Sequence, residues 1–166
     1  EERALGVVAA SGGNHALAVA HAARQLGADA TVVMPRTASA MRIQGCRDAG
    51  ATVELVPDIH AAFEQAEALA QQSGAHWIHP FEGPLTALGS ATCGVEWVED
   101  AGPMDAVVIP IGGGGLCAGV AGAVRSMLPN CEVIGVEPEG ADTMSRSIRA
   151  GMPVGIPRVR TIADSL

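Results

Sequence analysis

Gly112, Gly113, Gly114 and Gly115 stand between an apolar run, Ala106–Ile111, and a stretch in which Leu116, Val120, Val124 and Met127 recur at helical spacing. Glycines in a strand-to-helix turn leave backbone N–H groups unobstructed and permit positive φ, and the helix that follows adds its own unpaired N–H groups and the positive end of its dipole. A turn of this kind cradles a phosphate or another anion without any basic side chain. It also falls where open α/β sheets bind ligands, at the carboxyl end of a strand. A plain linker or tight turn needs fewer glycines. A second pattern overlaps the run: Gly113, Gly115 and Ala118 satisfy G-x-G-x-x-A, and Glu137 closes the following strand where a dinucleotide fold places its ribose-binding acid. From this stretch alone, a single phosphate and a dinucleotide pyrophosphate both stay open.

Far upstream, Ser11, Gly12, Gly13, Asn14 and His15 form SGGNH, again between an apolar run (GVVAA) and a helical pattern. Small residues, a hydroxyl, an amide and a second helix start suit a carboxylate together with a hydroxyl-bearing ring. The plain alternative is a helix cap, with Asn14 or Ser11 satisfying backbone amides. All ten basic residues are Arg, so the chain contains no Lys and no amine side chain for Schiff-base chemistry.

The elements that must hold these loops read as six strands: Gly6–Ala10, Thr31–Met34, Thr52–Val56, Trp77–His79, Ala106–Ile111 and Val133–Val136. Helical spacing lies between them: Val19, Ala22, Ala23 and Leu26; Phe63, Ala66 and Leu69; Leu88, Ala91, Val95 and Val98; and the run from Leu116, which Pro129 stops. Strict alternation predicts an α/β fold with parallel sheets, right-handed crossovers and helices on both faces. The turn-rich break from Pro80 to Pro84 divides the chain into a small four-stranded domain, 1–82, and a segment, 83–166, with too few strands for an independent sheet. The tail from Gly151 onward reads as an extended excursion.

Composition narrows the partners. A formal charge of -8 disfavours nucleic acid, and the apolar runs are too short and glycine-interrupted to span a membrane. Cys46, Cys93, Cys117 and Cys131 are scattered without metal-ligand spacing and read as buried free thiols in a reducing cytoplasm. His21, His60 and His76 lack any partner spacing and read as ordinary histidines.

Taken together, SGGNH and GGGGL, with TVVMP, the Gly50–Leu55 run, HPF (His79–Phe81), GVEPEGA and TIAD, resemble the central portion of the fold-type II pyridoxal-phosphate enzymes. The likeness is to the threonine and serine dehydratases (ammonia-lyases) and serine racemase, on a tryptophan synthase β-like fold. The resemblance implies that Asn14 bonds the cofactor's ring oxygen. Ser11, Gly12, Gly13 and His15 would hold the substrate carboxylate, largely through backbone N–H groups. Gly112 to Gly115 and the Leu116 amide would bind the cofactor phosphate. It implies a lyase reaction in which a lysine removes the α-proton, the cofactor takes up the electron pair and the β-hydroxyl leaves, giving a 2-oxo acid and ammonia from L-threonine or L-serine.

Departures from the family pattern sharpen the expectation. The family's lysine lies in a Ser-x-Lys-x-Arg segment ahead of the first motif, so this chain is expected to be an internal piece of a longer enzyme, with a stand-alone relic as the alternative, and in either case without turnover by itself. Its expected partners are then a small amino-acid substrate, further copies of itself in a homo-oligomer, or the remainder of its own chain. Gly12 stands where racemases carry a second serine, which disfavours racemisation. Gly89-Ser90-Ala91-Thr92 replaces GQGT, and Ser165 follows TIAD in place of Gly. A divalent cation would use Glu137 and the Ala141 carbonyl, but Thr143 stands where the second acid belongs, with Asp142 beside it. Two other functions compete: a non-catalytic module for a phosphorylated ligand or a protein partner, and a piece of a dinucleotide-dependent oxidoreductase.

Overall fold

A computed structural model describes residues 5–163. The chain separates into two compact units, one ending at Pro80 and one beginning at Phe81.

In the first unit, β1 (Val7–Ala10), β2 (Ala30–Pro35), β3 (Thr52–Val56) and β4 (His76–Trp77) form one sheet in the order β3-β2-β1-β4. Every pairing is parallel, with Val8 opposite Thr31 and Trp77, and Thr31 opposite Thr52. Parallel neighbours require crossovers, supplied by α1 (Asn14–Leu26), α2 (Ala40–Asp48) and α3 (Ile59–Ser73). Local chemistry sets their ends: the Ser39 hydroxyl accepts the Arg42 amide at 3.3 Å, Asp58 Oδ1 accepts the Ala61 amide at 2.9 Å, and α1 stops at Gly27, whose φ is 66°.

Side chains of β2 alternate between two cores. Val32 and Met34 pack with Ala16, Ala20, Ala23 and Cys46 on one face, while Val33 packs with Val8, Ala10, Ala62 and Ala66 on the other. The sheet is thus covered on both sides, and alanines on the helices let the layers approach closely.

The second unit holds α4 (Pro84–Ala101), β5 (Ala106–Pro110), α5 (Gly115–Met127), β6 (Glu132–Val136) and α6 (Thr143–Ala150). β5 and β6 pair in parallel, Val107 opposite Val133. Val107, Ile109, Val120, Val124 and Cys131 make the core on one face. On the opposite face Val108, Ile134 and Val136 are exposed. Helices α4 and α5 meet at glycines: a Cβ on Gly94 would lie 2.9 Å from the Val120 carbonyl oxygen, and one on Gly119 would lie 2.5 Å from the Ala91 nitrogen and 2.6 Å from the Ser90 side chain. Ser90 and Ala91, from the segment that departs from GQGT, therefore belong to this crossing.

Several expectations need correction. Strand β4 is only His76–Trp77, and α6 fills Thr143–Ala150, where periodicity suggested no helix. The buried seam of α1 is Ala16, Val19, Ala20 and Ala23, so Ala22 and Leu26 face outward; in α4, Leu88 is 66% exposed while Gly94 is buried. Small residues, not the largest apolar ones, mark the contact faces of α1 and α4, because the backbones pack too closely for leucine. The Asp164–Ser165 end of the TIADS stretch lies outside the described residues.

Candidate cofactor and substrate site

In the first unit the chain runs from β1 to β2 and β3 on one side, then crosses back to place β4 on the other side of β1. The order reverses at β1, and a crevice opens at the carboxyl end of such a switch strand. SGGNH is the segment that leaves β1 there. Its main chain is pinned by Ser11 N–H to the Val33 carbonyl at 3.1 Å, and the Ser11 hydroxyl accepts the Gly13 amide at 3.0 Å. Gly13 is the N-cap of α1 and brings no side-chain cap; Asn14 is the first helical residue and is exposed. The capping role considered for Asn14 is therefore absent. Its side chain and the amides of Asn14 and His15 have no hydrogen-bond partner among the described residues.

The His15 ring does different work. Its Nε2 lies 3.1 Å from the Ile78 carbonyl oxygen, which can only accept, so Nε2 carries the proton. Burial lowers the ring's pKa, and the nearby His79 acts in the same direction, against the opposing effect of the Ile78 bond. A neutral imidazole therefore ties the first turn of α1 to the segment after β4. Gly12 is crowded: a Cβ there would lie 3.1 Å from Pro35 Cγ and 3.6 Å from Ala38 Cβ, so a serine at this position would need the Pro35 ring to give slightly.

In the second unit the tetraglycine run leaves the carboxyl end of β5. Gly114 caps α5 with φ 92° and ψ −11°, a left-handed conformation that disfavours any side chain. The first intrahelical bond runs from Ala118 N–H to the Gly114 carbonyl at 2.8 Å. The amides of Gly113, Gly114, Gly115 and Leu116 have no acceptor among the described residues. They are bare donors at the positive end of a helix, which fits a phosphate. Phe81 lies against the loop: a Cβ on Gly113 would overlap its ring, and one on Gly115 would lie 2.6 Å from its Cα. Periodicity does not reveal this neighbour; HPF marks the residue without saying what it touches.

Glu137 is occupied elsewhere. Its Oε1 accepts the Met144 amide at 2.7 Å, and Oε2 accepts the Ser145 amide and hydroxyl, each at 2.8 Å. The carboxylate caps α6. Desolvation alone would raise its pKa, but the hydrogen bonds from Met144 and Ser145 outweigh it and hold the group below its ordinary value. This engagement corrects the ribose-binding reading, which needs a free acceptor. A hard cation does not fit either: Thr143 offers no carboxylate, Asp142 pairs with Arg146 at 2.8 Å, and no metal-holding group of His, Cys, Asp and Glu exists among the described residues.

Two parallel sheets, each releasing a helix through a loop of bare amides, define an α/β protein with hydrogen-bond donors suited to anions at its strand ends. The pyridoxal-phosphate dependent enzyme family matches residues 1–166, and the chain belongs to it, with the fold-type II architecture. It is 51% identical over its full length to phenylserine dehydratase of Ralstonia pickettii, covering 51% of that protein. It is 44% identical to L-threonine ammonia-lyase of Thermotoga maritima, covering 42%. Processed threonine deaminase isoform 2 of Solanum lycopersicum superposes with a TM-score of 0.91 at 40% identity, over 98% of this chain and 48% of that one. The chain thus spans about half the length of the relatives it matches, or less.

Proposed function

We propose that this chain is the phosphate- and carboxylate-binding part of a pyridoxal-phosphate lyase that converts a small β-hydroxy amino acid, L-threonine or L-serine, to a 2-oxo acid and ammonia. The observation that carries the reading is the row of unpaired amides from Gly113 to Leu116 at the start of α5, in a chain of this family. The relatives named above act on phenylserine and threonine, which share a β-hydroxy group and differ in the other substituent of the β-carbon.

Each residue has a bounded task. Gly112 to Gly115 and the Leu116 amide hold the phosphate; Asn14, exposed and unengaged, bonds the ring oxygen. Ser11, Gly12, Gly13 and His15 receive the substrate carboxylate, with the free amides of Asn14 and His15 as donors and the His15 ring holding the loop in place. Bound cofactor supplies the electron sink that makes the α-proton removable. In the family's reaction a lysine removes that proton, and this chain has none. Gly12 offers no hydroxyl for a proton transfer from the opposite face, so racemisation is not part of the reading. No divalent cation is included. Free Cys46, Cys93, Cys117 and Cys131 suit a cytoplasmic enzyme. Among the described residues no helix is long and apolar enough to cross a membrane.

The test is titration of pyridoxal phosphate into the 166-residue chain, followed by the 31P shift of its phosphate and by ligand fluorescence. Saturable binding, weakened at least about tenfold by Gly114→Ala through the strained φ, is expected. No 2-oxo acid should form from threonine. Absence of saturable binding, or turnover without a lysine, would overturn the reading.

A further inference from the structure

We propose that Phe81 is the positioning residue of the phosphate loop: its ring and main chain fill the space that side chains at Gly113 and Gly115 would take, and so hold the bare amides in their binding arrangement before any ligand arrives. The inference rests on the phosphate-binding role assigned to the tetraglycine loop.

The run Gly112–Gly115 is longer than one strand-to-helix turn requires, and each position needs its own reason. Gly114 has one in its φ of 92°. Gly113 and Gly115 do not adopt positive φ. Their reason is Phe81. A Cβ on Gly113 would overlap the ring, including Cδ2 at 2.8 Å, and a Cβ on Gly115 would lie 2.6 Å from Phe81 Cα, 3.0 Å from its Cβ and 3.2 Å from its carbonyl oxygen. One residue therefore excludes side chains at two alternate positions of the loop. Gly115 is buried, whereas Gly113 is exposed, so the contact anchors the helix end of the loop and leaves its outer part open.

The energetic need for such a brace is specific to glycine. A tetraglycine segment has the largest conformational entropy to lose when its amides converge on a ligand. Packing a ring against it removes part of that loss in advance, which strengthens binding without adding a contact to the ligand. Two residues beyond Phe81 the chain enters α4, with Gly83 as its N-cap and Pro84 as its first residue, a start with φ preset by the proline ring.

A double-substitution cycle on the 166-residue chain tests this, with pyridoxal phosphate as probe and two readouts: its dissociation constant and the 31P shift of the bound phosphate. Phe81→Ala should weaken binding about tenfold and move the 31P shift, while Phe81→Leu keeps most of both. Gly113→Ala alone should weaken binding more, because its methyl has no room. Combined with Phe81→Ala, it should cost less than the two single effects together, since the ring that it strikes is gone. If Phe81→Ala does not fold, the same cycle run with Phe81→Val gives the answer. Wild-type protein that fails to bind the probe sinks the functional reading itself. Wild-type binding with Phe81→Ala unchanged, or with additive effects in the cycle, sinks the role of Phe81.

Discussion

The first unit sandwiches its four-stranded sheet between helices, so that Val32, Val33 and Met34 of β2 are fully buried; the second covers one face of two strands and leaves Val108 59% exposed on the other. Both release a loop of unpaired amides from the carboxyl end of a strand. The loops, however, are braced differently. SGGNH is held by hydrogen bonds, through Ser11 and the His15 ring, and the tetraglycine run by contact with Phe81. The contrast teaches that a loop of unpaired amides can leave a fixed strand end and enter a helix start with either polar or apolar neighbours against it, according to what the adjoining segment offers.

The sharpest way to break this comparison is to cut the two sheets at equivalent central positions. Met34→Ala, at a site with no exposure, should destabilise the first unit by about 2–5 kcal/mol, from lost burial and the cavity left behind. Val108→Ala should cost less than about 0.5 kcal/mol. Urea unfolding of single-tryptophan variants that keep either Trp77 or Trp97, one in each unit, reads the two separately. Equal losses would mean that the exposed face of β5 is packed in solution.

A smaller effect separates close packing from helix propensity within α5. Gly119→Ala should destabilise the second unit by about 1–3 kcal/mol, because its methyl strikes Ala91 and Ser90 of α4. Gly122→Ala, with nothing within 4 Å of its added carbon, should stabilise the same helix by about 0.5–1 kcal/mol. Thermal melting of the two variants checks the opposite signs.

The smallest effect concerns the polar brace. Burial holds the His15 pKa below its unfolded value of 6.5, so the unfolded chain binds a proton that the folded one resists. The resulting stability is complete above pH 6.5 and is lost as pH falls through the lower folded value. The first unit's urea midpoint should therefore decline on acidification from neutrality, and His15→Gln should flatten that slope. A slope unchanged in the variant would mean that the His15 ring does not carry it.

Much of this architecture could be read before any coordinates. Alternation of short β-branched runs with helical spacing is a local property, and it locates all six strands to within a residue or two at either end. Glycine runs are equally local, since the backbone freedom that they confer depends on no neighbour. Less legible were the helix faces. Leu26 and Leu88 suggested buried seams, yet α1 and α4 pack through alanine and glycine, because the distance between layers, not residue hydrophobicity, chooses the contact. Helix α6 was invisible for a related reason: its eight residues include none that is buried, and its start is fixed by Glu137, six residues ahead of it in the chain.

The amino-acid order by itself determined the parallel α/β class, the two loops and the absence of a lysine, because periodicity, glycine and side-chain inventory act within a few residues. Tertiary structure alone decided that SGGNH leaves the strand where the sheet order reverses, that Phe81 occupies the Cβ space of Gly113 and Gly115, and that Glu137 serves a helix instead of a metal or a ribose. Each of those outcomes depends on which distant segments share a volume, and steric exclusion and hydrogen bonding settle that only once the chain has closed on itself.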